Sequence, residues 1–426
     1  MCIVGTICGV YVANAKGYGI MVNVIGLGYI GLPTALALAA NGVEVVGTDI
    51  NKTKVEQLKS GTVTFSEKGL DGLFEQAQFC GIRFENKYVV ADYYIVSVPT
   101  PVDTITYKVN AEYVVSAVKQ ILEVCPQGAV LIIESTISPG TIEKQIRPII
   151  KAAGKKIGHD VYLAHAPERI IPGNMIYELQ HNSRTIGADS RQIAERVRDL
   201  YATFCRGEIV LTDIRSAELS KVVENAYRAV NIAFANELSI ICGHENIDVS
   251  ELIRICNKHP RVNILNPGPG VGGHCISIDP WFLVGEYGKD AALTRCAMET
   301  NRKMPRHVLE RIQKVMRDND LEDFNRVGLY GLAYKENVDD CRESPTLQLL
   351  AEIKNAGGGT PVVYDPMVLS DLVPHQCHTM DEFLFHSSIV VIMVKHAELL
   401  NNMDMLVDKI IIDCHHICKL ENTVYL

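Results

Sequence analysis

The 426-residue sequence has no CxxC pair among its 13 cysteines, only one tryptophan, and no excess of basic residues. Nor does it contain the ~18 to 20 continuous apolar residues that a membrane span requires. The cysteines are odd in number and scattered from Cys2 to Cys418, which argues against a disulfide framework and against a zinc site. Most of them read as small buried hydrophobes of a reducing, cytoplasmic compartment, and no metal is expected. With 41 Lys and Arg against 50 Asp and Glu, the net charge is −9. That balance excludes nucleic acid and anionic membrane as the main partners. The opening stretch, residues 1–20, has no basic leading region and no small-residue cleavage site, so it reads as a non-essential extension and not as a signal peptide. There is no repeat at a solenoid period and no low-complexity tract.

What is present is length for two or three domains and a steady alternation of short β-branched runs with helical patterns. "VNVIGLG", "VEVVGTDI", "YYIVSVP", "AVLIIEST" and "DVYLAHAPE" read as strands, with helical segments such as "AEYVVSAVKQILEVC" between them. This alternation predicts a parallel, doubly wound sheet over 21–205. From 206 to 305 the character changes. "SAELSKVVENAYRAVNIAFANELSIICGHE" is a proline-free helical run too long for one crossover, suited to a spine joining two domains. Strands return over 306–426 in "NRVGLYGLAYK", "TPVVYDP", "SIVVIMVKH" and "KIIIDCHH", predicting a second, smaller α/β domain.

"VIGLGYIG" places Gly26, Gly28 and Gly31 in the GxGxxG spacing, directly after a strand and opening a helix. Gly26 permits a tight turn, Gly28 lets the backbone approach a pyrophosphate, and Gly31 allows close packing of helix on strand. The helix N-terminus, with Tyr29 and Ile30 at its mouth, then faces the phosphates. Asp49, at the end of the next strand, is placed to accept a ribose 2′-hydroxyl and to repel a 2′-phosphate. NAD is therefore the expected cofactor.

Lys221 and Asn225, four apart on the long helical run, share one face. A lysine facing a nicotinamide can stabilise a developing alkoxide or serve as a base of lowered pKa; from this segment alone, a lysine snorkelling to the surface stays open. Cys275, in "PGPGVGGHCISIDPWF", follows a run of glycines that lets a thiol reach substrate and lets backbone amides line the site. A thiolate there suits a second oxidation: it adds to an aldehyde, the thiohemiacetal gives up hydride to leave a thioester, and water releases the acid. Asp279, four residues on, is placed to hold Lys221 or a catalytic water. The presence of Cys275, Lys221, Asn225 and Asp279 together speaks against the rival reading, a binding or NAD-sensing module without turnover.

With "GLGYIG", "ESTISPGT", "APERIIPG", "AELSKVVENAY", "GPGVGGHCISIDPWF" and "GLAYKENVDDCRESPTLQLL" in order, the chain from Met21 nearly to its end resembles the UDP-glucose/GDP-mannose dehydrogenase family. Within the family it is most similar to the branch acting on UDP-N-acetyl-D-mannosamine. The resemblance implies an NAD domain, a central helical dimerisation region carrying the cysteine loop and a UDP-sugar domain, hence two Rossmann-like domains joined by a long central helix. It implies oxidation of the sugar's sixth-carbon alcohol to a uronate with two NAD, for a surface polysaccharide, by a cytoplasmic homodimer or larger assembly.

Carried over residue by residue, Cys275 would be the nucleophile, Lys221 and Asn225 the oxyanion stabilisers, and Asp279 part of the water network. Thr136 would lie near the nicotinamide and the hydrolytic water, Glu134 beside the cofactor with Pro99 and Thr100, and Glu168 would be the acid/base for thioester hydrolysis. Arg169 and Ile170, Gly272 and Gly273, and Tyr334 and Lys335 would contact substrate. Arg342 would serve the anionic region between cofactor and substrate, and Arg261 would reach a neighbouring subunit's substrate. Charge-assisted Lys and Arg contacts are the strong ones for a pyrophosphate. The sequence departs from the UDP-glucose branch at Arg169, His274 and Ile278; these departures follow the N-acetylmannosamine branch. UDP-N-acetylglucosamine and UDP-glucose stay open as alternative substrates.

Overall fold

The computed structural model describes residues 19–103 and 106–426; residues 1–18, most of the expected leading extension, lie outside the described residues. The chain divides into two compact units between Val223 and Glu224, within the long helix Ile214–Glu245. The expected central region, 206–305, is thus shared between them.

The first unit is built on eight strands: β1 Met21–Ile25, β2 Glu44–Thr48, β3 Arg83–Glu85, β4 Tyr93–Val96, β5 Ala129–Ile133, β6 Val161–His165, β7 Arg184–Ala188 and β8 Ile209–Thr212. They lie in the order β3-β2-β1-β4-β5-β6-β7-β8. β4 and β5 are buried at every position, because helices cover both faces of a parallel sheet and leave no polar side to alternate with. The order reverses between β1 and β4, and in such sheets ligands bind at the carboxyl ends beside that reversal.

One pairing departs from the all-parallel expectation. β7 runs antiparallel to β6, with Ala164 opposite Ala188 and His165 opposite Gly187. The link between them holds only the seven-residue helix Met175–His181. The pairing sets the last residues of β7 against the last residues of β6. β7 therefore starts at the carboxyl end of β6, bringing Arg184 to the edge that carries the glycine turn.

The second unit holds a six-stranded, wholly parallel sheet: β9 Val327–Tyr330, β10 Val362–Tyr364, β11 Gln376–Cys377, β12 Ile389–Ile392, β13 Ile410–Asp413 and β14 Thr423–Tyr425, ordered β11-β10-β9-β12-β13-β14. The helix Ala292–Asp318 packs its face of Met304, Val308, Ile312 and Val315 into the core of this sheet and keeps Pro305 inside its length. Among the described residues, no helix is long and apolar enough to cross a membrane.

Candidate functional site

The carboxyl edge of the first sheet is shaped by its turns. Gly26 turns the chain out of β1 with φ 89°. A Cβ at Gly26 would lie 2.3 Å from the Ser97 carbonyl oxygen, and one at Gly31 would lie 1.9 Å from that of Gly26. Both positions therefore exclude side chains. At Gly28 a Cβ would meet nothing within 4 Å, so here the backbone faces open space. The helix Gly31–Ala40 starts at this point, after Ile30, with no side-chain cap and no acidic residue in its first turn. Its positive end suits an anion. Tyr29 is half-exposed at the mouth, its ring 4.5 Å from that of Phe65.

Asp49, just past β2, is 8% exposed. Its carboxylate accepts N–H bonds from Leu27 at 2.9 Å and Asn51 at 2.9 Å, and meets the Lys54 ammonium at 3.1 Å. The contacts tie the acid to the glycine turn. An open glycine cradle, an uncapped helix end and a fixed carboxylate on the next strand fit the pyrophosphate and the ribose of a dinucleotide.

Beyond β4 and β5, two loops are stitched together. The Ser135 hydroxyl donates to Val98 O at 2.7 Å, and the Thr100 hydroxyl donates to Thr136 O at 2.7 Å. Pro99, Thr100 and Thr136 thus line one ledge. The next turn is pinned from the long helix, where the buried Glu218 carboxylate accepts the Gly140 N–H at 2.6 Å and the Ile142 N–H at 2.9 Å.

Behind the ledge lies a buried cluster that the sequence did not disclose. Arg184, 3% exposed, pairs through its guanidinium with Glu168 and, at 3.4 Å, with Glu134. It lies 4.3 Å from the centroid of the Tyr201 ring, whose hydroxyl donates to Glu134 Oε1 at 3.1 Å. Burial pushes the Glu134 carboxyl from 4.5 to about 7, against the pull of Arg184, while Glu168 adds to the rise. The direction follows from the contacts: among the described residues, Glu134 Oε2 is buried without a hydrogen-bond partner, and Arg184 is shared with Glu168. Glu168 is oriented on its other oxygen by the Arg169 N–H at 2.6 Å. Arg169 itself lies along β7, its guanidinium donating to the Thr185 hydroxyl at 2.8 Å. Ile170, expected to contact substrate, has its side chain in the hydrophobic core; only its backbone remains available to a ligand.

The thiol sits in the second unit. A Cβ at Gly272 would lie 2.6 Å from Tyr334 Cβ, and one at Gly273, where φ is 80°, would lie 2.8 Å from the Tyr334 ring. The Gly273 N–H donates to Arg342 O at 2.8 Å. The glycines thus let the cysteine loop press onto the Tyr334–Arg342 segment. Cys275 is half-buried. Its carbonyl accepts N–H bonds from Ile278 at 3.1 Å and Asp279 at 2.8 Å, forming a turn that runs into the helix Pro280–Tyr287. Asp279, 4% exposed, accepts from the Asn225 amide at 2.7 Å. Sequence had offered Lys221 or a water as a partner of Asp279; the asparagine is a partner it did not name. Lys221, one turn before Asn225 on the long helix, is also buried, at 7% exposure, and so is not a snorkelling surface lysine.

Burial, with Asp340 and Cys275 nearby, pushes the Tyr334 hydroxyl up to about 12, so it keeps its proton at neutral pH. Burial and the neighbouring Arg342 lower the His274 imidazole. Lys335 is half-buried, while Arg342 and Arg261 are exposed. The Arg342 guanidinium lies on the Asp340 carboxylate, with Nη2 at 2.6 Å.

Comparison with known proteins matches three consecutive domains of the UDP-glucose/GDP-mannose dehydrogenase family: the NAD binding domain over residues 20–205, the central domain over 215–303 and the UDP binding domain over 328–420. The UDP-N-acetyl-D-mannosamine dehydrogenase of Methanocaldococcus jannaschii is 42% identical over 389 residues, which are 91% of this chain and 88% of that protein. The solved structure of the Staphylococcus aureus UDP-N-acetyl-mannosamine dehydrogenase superposes with a TM-score of 0.85 at 38% identity, covering 95% of this chain and 97% of that one. The corresponding enzyme of Pyrococcus horikoshii superposes at 0.87 with 34% identity, covering 95% and 98%.

Proposed function

The chain belongs to the UDP-glucose/GDP-mannose dehydrogenase family, and from that premise we propose that it oxidises UDP-N-acetyl-D-mannosamine to its uronate in two steps through a thioester on Cys275. The enzymes of M. jannaschii and S. aureus named for this substrate support the choice of sugar. The observation that carries the chemistry is the half-buried Cys275 on a turn whose Asp279 is hydrogen-bonded to Asn225.

Gly26, Gly28, Gly31 and Asp49 would hold NAD, with Pro99, Thr100, Glu134 and Thr136 beside it and Arg342 towards the phosphates. When bound there, NAD would supply the hydride acceptor of each oxidation, two per sugar. In the first oxidation Lys221 stabilises the alkoxide that forms as the alcohol loses its proton. The Cys275 thiolate then adds to the aldehyde carbon, and the oxyanion of the thiohemiacetal is held by Lys221 and Asn225. Loss of the second hydride leaves a thioester. Water, activated by Glu168 or steered by Thr136 and Asp279, attacks its carbonyl and frees the carboxylate and the thiol. The balance is one alcohol, one water and two NAD giving one carboxylate, two NADH and three protons. Arg169, the backbone at Ile170, Gly272, Gly273, Tyr334 and Lys335 would bind the UDP-sugar.

The protein is read as a cytoplasmic homodimer supplying a surface polysaccharide, with Arg261 reaching the partner subunit's substrate. The exposed apolar side chains of Tyr227, Phe234 and Ile241 along the long helix support the dimer.

The test is NADH counted per sugar consumed, across UDP-N-acetylmannosamine, UDP-N-acetylglucosamine and UDP-glucose. The mannosamine substrate is expected to give two NADH per molecule and the fastest turnover, and Cys275→Ser to yield no uronate. Faster turnover on another sugar would move the substrate assignment; full uronate yield from Cys275→Ser would overturn the thioester.

A further inference from the structure

In the second unit, one buried acid and one buried histidine hold a single loop at two points, while the acid's other oxygen accepts the Met367 N–H at 2.8 Å. Asp365, at the end of β10, is 2% exposed and His396, beyond β12, is 0% exposed. Asp365 Oδ2 accepts the N–H of Leu332 at 2.6 Å and of Ala333 at 2.8 Å, and lies 3.1 Å from His396 Nε2. On the other side of the ring, His396 Nδ1 accepts the N–H of Asn337 at 3.0 Å. Nδ1 therefore carries no hydrogen, and Nε2–H is the donor to Asp365. Asn337, left-handed at φ 58°, closes the loop by accepting the Ala397 N–H at 3.0 Å through its side chain. The pair thus grips the loop at 332–333 and again at 337, and between the grips stand Tyr334 and Lys335.

We infer that Asp365 and His396 are positioning residues for the nucleotide-sugar: they hold the loop 332–337 in its binding shape before substrate arrives, fixing Lys335 for the phosphates and Tyr334 against the cysteine turn. This rests on the proposed UDP-sugar role of that loop. A loop that must order on binding subtracts that ordering from affinity, whereas a pre-formed one does not. A buried acid–histidine pair is a poor device for stability alone, since apolar side chains of similar volume commonly do as well. Here three of its bonds go to backbone amides of one segment, those of Leu332, Ala333 and Asn337. That segment is also the floor of the thiol loop, since Gly272 and Gly273 rest on Tyr334. The Asn337 backbone amide, the histidine ring and the aspartate therefore form one chain of hydrogen bonds from the interior of the sheet to the loop.

The test compares the full-length wild type with His396→Ala, His396→Gln and Asn337→Gly, using UDP and, separately, NAD as calorimetric probes. Amide hydrogen exchange over 332–337 is followed alongside. Glutamine can donate to Asp365 and accept from Asn337, so it should keep UDP affinity near wild type. Alanine should weaken UDP binding by about tenfold, leave NAD binding unchanged and speed exchange at Leu332, Ala333 and Asn337. Asn337→Gly keeps the left-handed turn on an exposed residue and should lose part of the UDP affinity even if the alanine variant fails to fold. Equal losses of UDP and NAD affinity, or unchanged UDP affinity in Asn337→Gly and in folded His396→Ala, would overturn the positioning role. Failure of the wild type itself to bind UDP would instead strike the functional reading, and the exchange data would then judge the clamp separately.

Discussion

Glu134 shows how burial sets chemistry at a single residue. Its carboxyl is held near 7 because it is shut away from water with one oxygen unpartnered, while the nearby Arg184 is shared with Glu168. The folded chain therefore binds this proton more tightly than the unfolded chain, whose value is near 4.5. Stability from this group is fully present below pH 4.5, declines as pH rises to about 7, and stays reduced above it. Glu134→Gln cannot ionise. Its melting temperature relative to wild type is expected to be little changed at pH 4.5 and higher at pH 8, read by thermal melts across that range. A difference between the two proteins that is flat with pH would remove the assigned cause. The same cluster marks the limit of sequence reading. Glu134 and Glu168 stood in recognisable motifs, but "NSRTIGA" gave no sign that Arg184 would be buried between them, because an arginine in isolation belongs by default to the surface. Asp279 was found by spacing, with Lys221 or a water as its expected partner, but its bond to Asn225 was not foreseen, because spacing places a residue near a site without saying which neighbour it meets.

At the scale of elements, the motif "RESPTLQLL" serves two ends. Besides carrying Arg342, it starts the helix Pro345–Asn355: the buried Ser344 hydroxyl accepts the Thr346 N–H at 3.1 Å and the Leu347 N–H at 3.4 Å, with Pro345 at the first helical position. The Thr346 hydroxyl then donates to Gly331 O at 2.7 Å, tying the helix start to the head of the 332–337 loop. Ser344→Ala is expected to cost about 1 kcal/mol, as for loss of an N-cap, measured by urea unfolding; no loss would mean that the amides find other partners. Strands with long β-branched runs, such as β5 and β12, were legible because burial on both faces demands such runs. β3, β11 and β14 were not, being only two or three residues long. The reversed direction of β7 was also hidden, since periodicity reports which side chains are buried and not which way a strand runs. That reversal matters most for the site, because it delivers Arg184 to the carboxyl edge.

For the whole molecule, the long helix poses the remaining physical question. It spans 32 residues, about 48 Å, and Tyr227, Phe234 and Ile241 recur on it every seven positions with exposures of 65%, 48% and 49%. Their seven-residue spacing keeps them on one stripe of the helix, and exposed apolar stripes of this length mark an interaction surface. The partner proposed for it is a second copy of the chain, because identical stripes are self-complementary about a twofold axis. In such a pairing a charge at Phe234, the middle residue of the three, would be buried against the partner helix in a desolvated setting. Phe234→Glu is therefore expected to convert a dimer into a monomer at micromolar concentration by light scattering coupled to gel filtration, while each subunit keeps its melting temperature to within a few degrees. A wild type that is already monomeric, or a variant that stays dimeric, would show that the stripe is not the interface.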